Sequence, residues 1–290
     1  MNQKLIKLLD KERRQLVFFK RKFNKHYWDN HWLKYLYFNK NQIYKLSLKS
    51  FVCQITKKYL KPKDGPILEG GCGLGFHVHS LTSMKYDVIG IDTAEKVIKV
   101  VQKKKPYLKM KVADVQNIPY PDNYFAGYWS IGVIEHFFNG YFKILDEMKR
   151  VVMQKGYLFI SFPYMSPFRI LKSKFNLYKI FNTEFYKNKN SIERYFYQFT
   201  LNKELVIKEI ESRGFKLKYI EPKDGIKGLK DEIFFLKFFF KRFLQLLFDI
   251  KKNKILILIK IILDKILVRF FGHSILLIFQ KLNDNEKLRR

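Results

Sequence analysis

Over residues 67–162, short apolar runs alternate with helix-like segments, and this alternation narrows the fold more than any other feature of the chain. Ile67-Leu68, Asp87-Val88-Ile89-Gly90-Ile91, Met110-Lys111-Val112, Ala126-Gly127-Tyr128-Trp129 and Tyr157-Leu158-Phe159-Ile160 are too short for helices and too apolar for loops. Strands separated by helices form βαβ units and hence a parallel sheet, whose ligand site lies at the strands' C-terminal ends. With 290 residues and 47% hydrophobic residues, the chain can bury a full-sized core, which excludes wholesale disorder.

The first of these strands runs into Glu69-Gly70-Gly71-Cys72-Gly73-Leu74-Gly75-Phe76. Glycine at 71, 73 and 75 lets the backbone bend sharply and approach a ligand at the head of the next helix. The second strand ends in Asp92, 23 residues after Glu69, where a carboxylate can accept hydrogen bonds from a ribose diol. The third ends in Val112-Ala113-Asp114-Val115. Three acids at three strand tips around a glycine turn describe a nucleoside site for a ligand with positive character. A pyrophosphate would be repelled by Glu69, and the dinucleotide pattern wants glycine where Phe76 stands.

These motifs resemble the class I S-adenosylmethionine-dependent methyltransferases, particularly the type 11 small-molecule group, over about residues 64–165, 195–220 and 272–281. Further points of likeness are Asn117-Ile118-Pro119-Tyr120-Pro121-Asp122, Trp129-Ser130-Ile131-Gly132-Val133-Ile134-Glu135-His136-Phe137 and Leu145-Asp146-Glu147-Met148-Lys149-Arg150-Val151. Glu69 stands where Asp is commoner, and Gln154-Lys155-Gly156 lacks the frequent Pro-Gly-Gly.

The resemblance implies an α/β, Rossmann-like, doubly wound seven-stranded sheet with its last strand antiparallel, and S-adenosyl-L-methionine as cofactor. Gly71, Cys72 and Gly73 would line the methionine part, with Glu69 organising its amino end and Gly75 a further cofactor-binding glycine of the motif. Asp92 would hold the ribose hydroxyls, Asp114 the adenine amino group, the Val115 N–H a ring nitrogen, and the Ile131 carbonyl the ammonium. His136, just past the fourth strand, is the candidate general base, with a packing or helix-capping role as the alternative. His77 and His79 read as structural, and no metal site is expected.

The expected organisation is an N-terminal helical cap over 1–60, a methyltransferase domain over 61–228 and 272–281, an amphipathic helical insertion over 229–271, and a charged tail over 282–290. The cap rests on Leu5, Ile6, Leu8 and Leu9 at helical spacing, followed by an aromatic centre in which Trp28 and Trp32 form either a lid over the cofactor or a buried cluster. Residues 163–200, rich in aromatics and poor in acids, favour an apolar or ring-containing acceptor. Ser130-Ile131-Gly132-Val133 stands where methylases of exocyclic base nitrogens carry an Asn- or Asp-Pro-Pro-aromatic segment, which argues against specific nucleic-acid methylation.

The insertion is Phe-rich, and on a helix Lys237, Lys241, Gln245 and Asp249 fall on one side, as do Lys260 and Asp264, with Lys265 and Arg269 nearby. It fits either a hairpin packed on its own domain or partner, or a segment lying on an anionic bilayer. The expected acceptor is accordingly a small or lipid-linked molecule, with an RNA methyltransferase or a non-catalytic S-adenosylmethionine-binding protein as alternatives. Net charge alone does not decide this. The balance of +31 comes with 46 Lys, 11 Arg and only three Ala, the imprint of AT-rich codons as much as of a polyanionic partner. Two cysteines without metal-ligand spacing, and a charged N-terminal stretch without an apolar core, point to a cytoplasmic protein, peripheral at the membrane if the insertion binds lipid.

Overall fold

The computed structural model describes residues 5–20, 27–38, 44, 47–48, 50–181, 195–233 and 254–283. The chain divides into two compact units, one of Met1–Arg21, Ser161–Val206 and Ile220–Leu276, the other of Lys22–Ile160, Ile207–Tyr219 and Leu277–Arg290.

The main sheet has seven strands: β3 (Ile67–Gly70), β4 (Val88–Asp92), β5 (Lys109–Val112), β6 (Phe125–Ile131), β7 (Val152–Pro163), β9 (Phe215–Lys223) and β10 (Ser274–Lys281). Their order is β5-β4-β3-β6-β7-β10-β9, with β10 antiparallel to β7. The doubly wound seven-stranded sheet with its antiparallel last strand is the expected fold. The parallel register pairs Glu69 with Gly90 and Trp129, Gly70 with Ser130, and Asp92 with Val112. Strand tips from three βαβ units therefore end at one level.

Burial explains why these runs are strands. All of Ile67–Gly70 and Val88–Asp92 is buried, as in a parallel sheet covered on both faces. The covering helices are α2 (Phe51–Tyr59), α3 (Phe76–Ser83), α4 (Glu95–Lys104) and α5 (Phe142–Val151), after α1 (Tyr27–Phe38). In α5 the buried residues Ile144, Leu145, Met148 and Val151 recur at helical spacing. Trp129 stacks on Phe159 with ring centroids 4.5 Å apart, and its indole N–H donates to Thr56 Oγ1 at 3.0 Å, fixing α2 to the sheet. Arg150 ties down the loop before β6 by donating to Glu147, to Asp122 and to the Ile118 and Tyr120 carbonyls.

In the other unit, β1 (Ile6–Asp10) and β2 (Gln15–Phe19) form an antiparallel hairpin, and β2 pairs with β8 (Phe196–Thr200). The helix expected at the N-terminus is corrected over residues 6–19. Every residue of Gln15–Phe19 is buried, which one helical stripe cannot achieve, and the hairpin turn is closed by the Arg13 N–H donating to Asp10 Oδ1. Leu9, Leu16, Phe18, Met165 and Tyr178 form its core. Helices α6 (Pro167–Lys174), α7 (Lys203–Glu211), α8 (Gly225–Glu232) and α9 (Lys254–Phe271) complete the described elements.

Helix α9 crosses α8 at glycines. A Cβ on Gly228 would run into the Phe271 carbonyl and one on Gly225 into the Val268 backbone, so only hydrogen at these positions allows the approach. The predicted placement of Lys237, Lys241, Gln245 and Asp249 lies outside the described residues. Among the described residues, no helix is long and apolar enough to cross a membrane.

Candidate functional site

A cavity of about 280 Å³ opens at the C-terminal ends of the parallel strands. Gly71, Asp92, Asp114, Val115, Ile131 and His136 line it, together with Thr93, Ala113, Gly132, Val133 and Phe137 from the same loops and Trp28 and Trp32 from α1. Glu69, Cys72, Gly73 and Gly75, also expected at the site, are not among the lining residues.

The glycine turn is anchored on the neighbouring strand, since the Gly71 and Cys72 N–H groups both donate to the Ile91 carbonyl, at 2.8 and 3.0 Å. Gly71 has φ +77°, and any Cβ there would collide with Val133 Cγ2. Tyr44 pins the turn from outside, its buried hydroxyl donating to the Leu74 carbonyl at 2.9 Å.

Asp92 joins turn and strand tip. Its carboxylate accepts the Gly73 N–H at 2.8 Å and the Ala94 N–H at 2.9 Å. Burial raises its pKa, against the opposing pull of the backbone N–H groups of Ala94, Gly73 and Thr93. Two carboxylate oxygens offer about four lone-pair sites, so acceptor capacity remains for a diol.

Glu69 faces the other way, its Oε2 accepting the Val78 N–H at 3.2 Å in the first turns of α3. Fully enclosed, its carboxyl is pushed up to about 8 by burial, against the Val78 hydrogen bond and with a further push from Asp92. Burial also raises the Cys72 thiol well above its ordinary value, with Glu69 and Asp92 adding to the effect. A thiol held in that state is no nucleophile.

Asp114 is exposed and closes an Asx turn by accepting the Gln116 N–H at 2.8 Å, while the adjacent Val115 is buried. His136 ends a 3-10 turn, Ile134–His136, with its ring edge-on to Trp28 at 4.7 Å between centroids. His77 is partly buried, with its Nδ1 shielded from solvent, and desolvation lowers its imidazole to about 4. Together with its absence from the cavity lining, this fits a structural role.

The cavity's outer wall is α1. Its Asp29, buried, accepts the Val97 N–H at 3.3 Å near the start of α4 and so fixes the helix in place. Trp32 lies over the glycine turn so closely that a Cβ on Gly73 would come within 2.7 Å of the indole. Sequence reasoning placed Trp28 and Trp32 as lid or core without deciding. It missed Thr93, Ala113, Gly132, Val133 and Phe137, whose only signal is closeness in the chain to Asp92, Asp114, Ile131 and His136.

Among the described residues, no Lys or Arg lines the cavity, in a chain of net charge +31. Nor do any three His, Cys, Asp or Glu residues come together there or elsewhere to hold a metal ion. The arrangement suits an uncharged or cationic nucleoside with an aromatic cover.

Residues 68–160 match the family model described as a methyltransferase domain. A crystal structure of an S-adenosylmethionine-dependent methyltransferase from Methanosarcina mazei superposes with TM-score 0.51 at 16% identity, covering 79% of this chain and 98% of that one. A protein from Pyrococcus horikoshii superposes with TM-score 0.52 at 16% identity, over 83% of this chain and 92% of its own. Phosphoethanolamine N-methyltransferase 2 of Haemonchus contortus, solved in complex with S-adenosyl-L-methionine, has TM-score 0.51 and 17% identity, over 90% of this chain and 59% of its own. No curated protein matches the chain in sequence.

Proposed function

We propose that the chain, whose residues 68–160 match a methyltransferase domain, is a class I S-adenosylmethionine-dependent methyltransferase that methylates a small or lipid-like acceptor received beneath Trp28 and Trp32. The observation that carries this reading is the cavity lining: two carboxylates, two indoles, Phe137 and His136, with no cationic side chain among the described residues. A nucleic-acid acceptor brings phosphates close to the reacting centre and calls for Lys or Arg there. Phosphoethanolamine N-methyltransferase 2 of Haemonchus contortus, solved also with phosphomonomethylethanolamine and S-adenosylhomocysteine, is a small-molecule enzyme of similar fold, which supports the same class of acceptor.

When bound, S-adenosylmethionine supplies a methyl group on a sulfonium, open to in-line displacement. Gly71 lets the turn pass close against Val133 at the cavity wall; Asp92 would hold the ribose hydroxyls, Asp114 with the Val115 N–H the adenine edge, and the Ile131 carbonyl the ammonium. Glu69 acts through the turn, holding the start of α3 by the Val78 N–H. Trp28 and Trp32 exclude water and align the acceptor, and positioning of this kind supplies much of a methyl transfer's acceleration. His136, on the cavity wall, accepts the proton of a hydroxyl or phenol acceptor.

The test is incubation with methyl-labelled S-adenosylmethionine and a cell extract, partitioned into lipid, RNA, protein and small-molecule fractions. Label is expected in the lipid or small-molecule fraction, and Asp92→Ala is expected to remove it, with cofactor affinity by calorimetry falling about a hundredfold through loss of the diol and turn hydrogen bonds. Label in RNA, with a steep salt dependence, would replace the proposed acceptor class. Label surviving in Asp92→Ala would overturn the assigned cofactor site.

A further inference from the structure

Among the described residues, helix α9 is docked by the side that carries Asp264, Val268 and Phe271. Asp264 Oδ1 accepts the Ile226 N–H at 2.9 Å, Val268 and Phe271 lie against Gly225 and Gly228, and Phe271 packs on Phe168 with centroids 4.7 Å apart. The opposite side is apolar and open to solvent, with Leu258 57%, Ile262 48% and Ile266 65% exposed in one i, i+4, i+8 row. Exposed Ile259 and Leu263 widen that row into a face.

Charge borders the face on one edge. At 100° per residue, Lys265 falls along that edge and Arg269 between the directions of Leu258 and Ile262, whereas Lys260 shares the side of Asp264. The only acid in α9 is Asp264, and it is turned to α8. The exposed side thus combines a broad aliphatic stripe with Lys265 and Arg269 and no carboxylate from its own helix. A second copy of this chain would meet the stripe but would bring like charges together in a protein of net charge +31. An anionic bilayer satisfies both features, since the aliphatic side chains enter the acyl boundary while the Lys and Arg heads stay at the phosphates.

We infer that α9 is a membrane-docking helix that lies along an anionic lipid surface through Leu258, Ile259, Ile262, Leu263 and Ile266, with Lys265 and Arg269 at the headgroups. The inference does not depend on the acceptor assigned above, because it uses no residue of the cofactor cavity.

The experiment is flotation of the full chain with vesicles of phosphatidylcholine alone or mixed with phosphatidylglycerol, at low and high salt. The wild type should float only with the phosphatidylglycerol vesicles, and less so at high salt. Ile262→Asp with Ile266→Asp, and separately Lys265→Glu with Arg269→Glu, should each lower the partition roughly tenfold. Cofactor affinity of both variants, read by calorimetry, should match the wild type and shows that the domain remains folded. Absence of wild-type flotation, or flotation that neither pair of substitutions reduces, overturns the inference. So does a wild-type dimer on size-exclusion chromatography that Ile262→Asp with Ile266→Asp converts to monomer, which would give the face to a second copy.

Discussion

Glu69 is a residue whose chemistry departs far from its ordinary behaviour. It is sealed beneath the glycine turn, where burial costs the charged carboxylate more than the single Val78 N–H returns, so its pKa rises from 4.5 to about 8. A folded-state value above the unfolded one means that the folded protein holds the proton between these limits. Below about 4.5 the group is neutral in both states and destabilises nothing; as pH rises through about 8 the folded state must ionise it, at a cost on the order of 4 kcal/mol. Glu69→Gln keeps a carbonyl to accept the Val78 N–H and removes the ionisation. Urea unfolding near pH 5 should therefore find the two proteins similar, and above pH 8 should find the variant more stable by roughly that amount. An unchanged pH dependence in the variant would mean that Glu69 is ionised in the fold, as a direct partner of the cofactor's ammonium would require.

The helix α1 shows how a site wall can arise outside the sheet that defines the fold. Asp29 clamps it to α4, and Trp32 covers Gly73, so its indoles close a cavity whose floor is built from strand tips. Trp32→Ala would open that wall without touching Asp92 or the turn. Cofactor affinity by calorimetry should weaken about tenfold, the loss of one aromatic contact of ~1.4 kcal/mol, while the melting temperature without cofactor stays nearly constant. The floor was legible in the sequence because strand runs, glycines and acids recur at intervals set by the βαβ unit, and the register then brings Gly70, Ile91 and Ser130 to one level, with Asp92 one residue beyond. The wall was not, because no local pattern tells an aromatic that packs on a neighbouring helix from one that faces a ligand. The hairpin at Ile6–Asp10 and Gln15–Phe19 escaped for a related reason. Leu5, Ile6, Leu8 and Leu9 fit a helical stripe by themselves, and what makes them a strand is pairing that reaches Phe196–Thr200, far away in the chain.

At the scale of the whole chain, one buried carboxylate, Glu232, holds segments far apart in sequence together. Lys7 Nζ lies 2.6 Å and Arg169 Nε 2.9 Å from its Oε1, while Lys172 Nζ at 3.0 Å and the Tyr178 hydroxyl at 2.7 Å meet Oε2. The chain's start, its middle and α8 converge on one carboxylate, an assembly with no periodic signature in sequence. Burial opposes ionisation of Glu232, but the Lys7 and Arg169 charges and the hydrogen bonds outweigh it and hold the group down to about 2. With the folded value below the unfolded 4.5, its stabilising contribution is complete above about pH 4.5 and is lost as pH falls towards 2. Glu232→Gln would leave the largely enclosed Lys7 without its counter-charge and the buried Arg169 facing only the more distant Asp231, at 3.9 Å among the described residues. Breaking a buried ion pair by removing one partner costs about 3–5 kcal/mol, and that loss is expected in urea unfolding at neutral pH. The gap between wild type and variant should narrow as the measurement is repeated towards pH 3, because the wild-type carboxylate is then protonated on unfolding and its advantage fades. A gap of equal size at both ends of that range would mean that Glu232 acts through packing and neutral hydrogen bonds, and that the three cations around it are balanced elsewhere.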